Sequence, residues 1–124
     1  MPYDAAKPID PELAAVADTE GEQQMVIVGG WFEVDPDQRD AFVAQRIESM
    51  RRSRADHGCI EYVIAADPVD PGRAVLYERW ESQADLDAHG ARMRAEAATA
   101  DAPGVTPTAV SIIVYDVTGE RSLI

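Results

Sequence analysis

The chain is short of the features by which many protein classes are recognised. It has one cysteine, Cys59, so no intrachain disulfide can form. No apolar run approaches the ~18 residues that a membrane-spanning helix needs. Met1–Gln24 has no basic start followed by an apolar stretch, as a secretory signal would, so a cytoplasmic location is expected. There is no phosphate-cradling glycine loop, no CxxC, no HExxH and no GxSxG. Nothing in the spacing of the two histidines, His57 and His89, joins them to carboxylates as a metal set, and no metal is expected. Basic residues are outnumbered: 11 Lys and Arg stand against 23 Asp and Glu, a net charge of −12. Such a surface repels phosphate backbones and anionic headgroups, which argues against nucleic acid and membrane partners.

What is present suits one globular domain. The 124 residues are 46% apolar and 27% charged, enough for a single modest core. Residues 1–24 read as an acidic extension interrupted by Pro2, Pro8 and Pro11, with a short helical stretch at Pro11–Ala17. The folded domain is expected over residues 25–124. Met25–Val34 reads as a strand, and Gly29-Gly30 inside it suggests a bend, a bulge or a close backbone approach. Asp35-Pro36-Asp37 starts a helix, with Asp35 as N-cap and Pro36 in the first turn. Phe42, Val43, Ile47, Met50 and Arg54 recur at helical spacing, and His57-Gly58 ends the helix. Cys59–Ala66 and Ala74–Glu81 form a hairpin around the turn Asp67–Gly72. Ser82 caps a second helix, Gln83 to about Thr99, and Ala109–Thr118 is a fourth strand.

The order β-α-β-β-α-β predicts an α+β, ferredoxin-like fold with an antiparallel sheet. The first and fourth strands, Met25-Val26-Ile27-Val28 and Val110-Ser111-Ile112-Ile113-Val114-Tyr115, are apolar on both faces. Two helices cover only one face of such a sheet. A second copy is the simplest cover for the other, so a homodimer through sheet faces is expected.

Few residues offer chemistry. Cys59 opens an apolar segment and reads as a small buried hydrophobe. Pairing it with His57 as a nucleophile is disfavoured, because neighbours in an extended strand point apart. His89 lies on the core stripe of the second helix, between Leu86 and Met93. It is either a satisfied buried histidine, which residue type alone favours, or a general base aimed into a cavity. The aromatics Trp31, Phe32, Tyr62, Tyr77, Trp80 and Tyr115 all lie on strands, as core, as interface or as the walls of an apolar pocket. By alternation Tyr62 shares a face with Ile60 and Ile64, and Trp80 with Glu78 and Leu76. Glu78 and Arg79 fall inside a central strand and are expected to form ion pairs.

Four segments carry a resemblance: Gly58-Cys59-Ile60-Glu61-Tyr62, the turn from Asp67-Pro68 to Gly72-Arg73, Leu76-Tyr77-Glu78-Arg79-Trp80-Glu81-Ser82, and Leu86-Asp87-Ala88-His89. Together they resemble the antibiotic biosynthesis monooxygenase family, over about Met25 to Thr118. The resemblance implies a dimeric α+β barrel. It also implies oxygenation of a small phenolic, quinol or polyketide-type aromatic by O2 without flavin, haem or metal. By position it makes His89 the base or substrate-orienting group and places Tyr62 and Trp80 on the pocket wall. Family members often carry a second histidine soon after the first; here Arg94 stands near that place. Some use an asparagine on the first strand, but this chain has none and Gly29-Gly30-Trp31 occupies that strand. Trp31 and Arg94 therefore join the expected substrate-binding set. Ala95–Thr99 lacks the helical histidine of haem-degrading relatives. The alternatives are a non-catalytic small-molecule-binding or stress-response protein, and an isomerase or lyase on the same scaffold.

Overall fold

The computed structural model describes residues 24–100 and 104–124. The expected helical stretch at Pro11–Ala17 lies outside the described residues. Four strands, β1 (Val26–Glu33), β2 (Cys59–Ala66), β3 (Arg73–Trp80) and β4 (Ala109–Asp116), form one antiparallel sheet in the order β2-β3-β1-β4. Helical segments connect β1 to β2 and β3 to β4, which is the ferredoxin-like arrangement read from the sequence. The last of them, α3 (Gln83–Ala98), carries His89. No helix among the described residues is long and apolar enough to cross a membrane.

The first crossover starts as expected: Asp35 Oδ1 accepts the Asp37 amide at 2.9 Å, with Pro36 next in line. It is not one helix, however. A 3-10 turn (Pro36–Gln38) leads into α1 (Arg39–Ala44) and then, after a break, α2 (Ile47–Arg54). At the break the Arg46 amide turns to the Val43 carbonyl, 3.0 Å away. The Phe42 carbonyl accepts instead from Arg46 Nη1 at 3.1 Å, and the guanidinium lies 3.5 Å over the Phe42 ring. A side chain has displaced a backbone donor, which is one recognised cause of a helix kink.

The core sits between the sheet and these helices. Register pairs Val26 with Trp80, Val28 with Glu78, and Tyr62 with Glu78 across three strands. Val26, Val28, Tyr62, Ile64, Leu76 and Trp80 are accordingly buried on one face, over Phe42 and Met50. Ile60 does not join them. A bulge between Cys59 and Glu61 sets Cys59 opposite Trp80 and leaves Ile60 exposed, so the simple alternation fails at that residue.

Gly29-Gly30 makes no bulge or break, because pairing runs unbroken along β1. A Cβ on Gly30 would overlap the Ser111 carbonyl and come 2.9 Å from Ile112 Cα, so the glycine admits β4 at close range. Strand β4 is at the sheet edge. Val110, Ile112, Ile113, Val114 and Tyr115, from both of its faces, are 47–52% exposed.

Candidate functional site

Two short stretches of chain face each other at one end of the sheet. Ser82 Oγ accepts the Asp85 amide at 3.1 Å and starts α3. Asp85, His89 and Arg92 then follow one side of the helix at near-helical spacing. Opposite them runs the loop Ala55–Gly58, which leaves α2. Gly58 has φ +79°, and a Cβ there would overlap the Asp85 carboxylate, so the loop lies against α3 only because this residue is glycine.

The loop and helix exchange charge-assisted hydrogen bonds. His89 Nδ1 lies 2.8 Å from Asp56 Oδ2. Arg92 grips the same carboxylate, Nε to Oδ1 and Nη2 to Oδ2, both at 2.8 Å. Arg92 Nη2 also donates to Ser53 Oγ at 3.3 Å. A carboxylate held by a guanidinium accepts only, so Nδ1 of His89 carries a hydrogen and donates it, and in the neutral imidazole the lone pair then falls on Nε2. Nε2 faces Glu78 Oε1 at 4.0 Å, and that oxygen accepts from Trp80 Nε1 at 2.9 Å. The imidazole is enclosed by aromatic rings, with centroids 4.6 Å away for Trp80 and 5.4 Å for Tyr62. His89 is 7% exposed, Glu78 and Tyr62 6%, and Trp80 0%.

The electrostatics follow from this enclosure. Burial pushes the Asp56 carboxyl upward, but the hydrogen bonds from Arg92 and then His89 outweigh it and hold the group below the usual carboxylate range. Burial raises Glu78 despite the Trp80 donor. The Tyr62 hydroxyl is pushed up to about 12, by burial first and the Glu78 charge second. The result is a histidine oriented by an ionised carboxylate, with its second nitrogen turned towards Glu78 between the Trp80 and Tyr62 rings. Among the described residues no group of three or more His, Cys, Asp and Glu side chains converges as a metal set.

Of the expected site residues, His89, Tyr62 and Trp80 come together. Trp31 and Arg94 do not join them. Trp31 pairs with Val75 and Ser111 and lies on the opposite face of the sheet, with the Arg73 guanidinium 4.7 Å from its ring centroid. Arg94 is exposed on α3 and reaches back towards Gly90. Glu78 and Arg79 part company as well. Glu78 serves Trp80 and His89, while Arg79 pairs with Glu120 at 3.3 Å on the other face. The sequence reading missed Asp56, Ser53 and Arg92. Arg92 carried a usable signal, since residues three apart on a helix are neighbours.

No groove described on the surface is lined by His89. One of about 550 Å³ lies between Met25, His57, Ile60, Glu81, Ser82 and Asp85. Another of about 360 Å³ runs along β2 past Arg54, Ile60, Tyr62 and Val63.

A ferredoxin-like α+β domain with an Asp-oriented histidine against an aromatic sheet face is the class these features define. The family model for antibiotic biosynthesis monooxygenase matches residues 25–101, and the chain belongs to that family. Its relatives include an uncharacterized protein of Synechocystis, 29% identical over 79 residues. That match covers 64% of this chain and 54% of the relative, so the chain spans about half the length of that protein. Among solved structures, Rv0793 of Mycobacterium tuberculosis is 29% identical, covers 79% of this chain and 99% of its own, and superposes with a TM-score of 0.58. The Shewanella oneidensis protein SO0527 shares the fold at 20% identity, covering 75% and 90% of the two chains with a TM-score of 0.63.

Proposed function

We propose that this chain is a cofactor-independent monooxygenase that oxidises a small phenolic, quinol or polyketide-type aromatic with O2. The observation that carries the reading is the hydrogen-bonded series Arg92–Asp56–His89, with Nε2 of the imidazole presented inside the Trp80 and Tyr62 enclosure. His89 takes the acidic proton of the substrate, and Asp56 stabilises the imidazolium that results. The electron-rich anion then reduces O2. For a ring methylene that becomes a carbonyl, one oxygen atom enters the product and the other leaves as water. All four electrons come from the substrate, so no external reductant is required. Family membership supports this class of reaction.

The working unit in this reading is a homodimer through sheet faces, closing an α+β barrel. Trp31, Val63, Val75, Tyr77, Ile113 and Tyr115 fall on the face away from the core residues, and Val75, Ile113 and Tyr115 among them are exposed. Large apolar faces of this kind mark association surfaces.

A second reading is a non-catalytic small-molecule-binding protein. The enclosure of His89, which lines neither groove, favours it. Oxygen uptake by metal-stripped protein on a panel of hydroquinones, naphthols and anthrones separates the two. Under the first reading uptake depends on protein and falls roughly 10²–10⁴-fold in His89→Ala. Uptake that is unchanged in that variant removes His89 from the chemistry, and binding with no uptake across the panel favours the second reading.

A further inference from the structure

The Asp56–His89 bridge has a reciprocal neighbour that the proposed reaction does not use. One position along the loop and one helical turn back on α3, His57 Nδ1 lies 2.8 Å from Asp85 Oδ1. Asp85 is itself fixed: its other oxygen accepts from Ser82 Oγ at 2.9 Å, and its carboxylate fills the space that the missing Cβ of Gly58 leaves. The two dyads differ in access. His89 is enclosed, whereas the His57 side chain is 90% exposed and forms part of the wall of the 550 Å³ groove.

The lining of that groove defines what fits it. Met25 and Ile60 supply an apolar floor, and the Ile60 side chain is available only because the β2 bulge turns it out of the core. Asp85 holds the hydrogen of neutral His57 on Nδ1, which leaves Nε2 as an outward acceptor. Among the described residues the remaining charged groups of the lining, Glu81 and Asp85, are both carboxylates, and no Lys or Arg joins them. An anionic ligand is therefore repelled. A neutral ligand with an apolar body and one O–H donor fits the described lining.

We propose that this groove is a second binding site, for small neutral phenols, in which the ligand hydroxyl donates to His57 Nε2 and the ring rests on Met25 and Ile60. The site needs no oxygenation and stands or falls separately from the reading of His89. Its occupancy depends on pH, since a protonated His57 has no lone pair to offer. Among the described residues the charged groups that face His57 are Asp85 from α3 and Glu81, which follows β3. Both stabilise the imidazolium, Asp85 foremost, so binding tightens as pH rises through a His57 titration lying above its ordinary value.

The test is a titration of the full-length protein with phenol, followed by 15N amide shifts and compared with anisole, which lacks the donor, and benzoate, which is anionic. Phenol is expected to perturb the amides around Met25, His57 and Ile60 with a dissociation constant in the millimolar range or tighter, and at least ~5-fold more tightly than anisole. Benzoate is expected not to bind there. His57→Gln, at an exposed position, is expected to weaken phenol at least ~5-fold with the remaining spectrum unchanged. Equal affinity for phenol and anisole, wild-type affinity in His57→Gln, or perturbations confined to other parts of the molecule would each overturn the proposal.

Discussion

Replacing Asp56 with alanine tests the physical core of the site. The change removes the acceptor of His89 Nδ1 and of two Arg92 nitrogens at once. His89 is 7% exposed, and its stranded donor costs about 1–3 kcal/mol. Breaking a fully buried pair costs about 3–5 kcal/mol, but that is a ceiling here. The Arg92 side chain is 27% exposed and keeps Glu96 at 2.8 Å, so it recovers part of its loss. The expected net destabilisation is about 2–3 kcal/mol, read as a lowered urea midpoint at pH 7 and fixed protein concentration. The sign of the pH dependence follows from the depressed Asp56 acidity. A carboxyl whose folded pKa lies below its unfolded value of 3.8 stabilises the fold above that pH, and the benefit disappears as pH falls through the folded value. The gap between wild type and Asp56→Ala should therefore close in acid. A loss below about 0.5 kcal/mol at pH 7, the scale of an ordinary surface change, would refute the reasoning.

Other predictions follow from single contacts. Gly30→Ala should cost about 2–3 kcal/mol, because its Cβ meets the β4 backbone, whereas Gly29→Ala, which meets the Tyr115 ring at 3.5 Å, should stay within about 0.5 kcal/mol. Equal urea midpoints for the two variants would contradict the close-approach account of Gly30. In a spectrophotometric titration Tyr62 should remain un-ionised while an ordinary tyrosine titrates, since its hydroxyl is pushed up to about 12. A Tyr62→Phe difference spectrum with a midpoint near 10 would show the phenol to be accessible. His57 should titrate above 6.5 by NMR and return towards it in Asp85→Asn. Its raised folded pKa means that the bridge contributes fully below the unfolded value and is lost as pH rises through the folded one. The depressed Asp85 sets the opposite, acid limit, so the bridge is strongest between the two.

Much of the architecture was legible because alternation and helix caps are local signals. The four strands fall within two residues of their expected bounds, and Asp35 and Ser82 cap the two crossovers as read. The grouping of Tyr62, Trp80 and His89 was implied by the family resemblance alone; parity within each strand and the helical stripe gave each residue a face but did not join the three. What escaped depends on register and on contacts distant in sequence. Asp56 is 33 residues from His89 and sits in a loop, where no periodicity aims a side chain. Trp31 is aromatic and on a strand, but its parity against Val75 places it on the far face. Arg94 lies five positions beyond His89 on the helix and so faces away from it. The β2 bulge and the helix break at Gln45-Arg46 are decided by tertiary contacts, here Cys59 opposite Trp80 and the Arg46 guanidinium on Phe42.

The central claim is that this chain oxygenates an electron-rich aromatic without a cofactor at His89. Reaction of metal-stripped protein with an anthrone under 18O2, followed by mass spectrometry of the quinone, tests it most directly. The account predicts one labelled oxygen in the product, formed at a rate well above autoxidation and lost in His89→Ala. Product that forms no faster than in buffer, or that keeps its rate and label without His89, would contradict it.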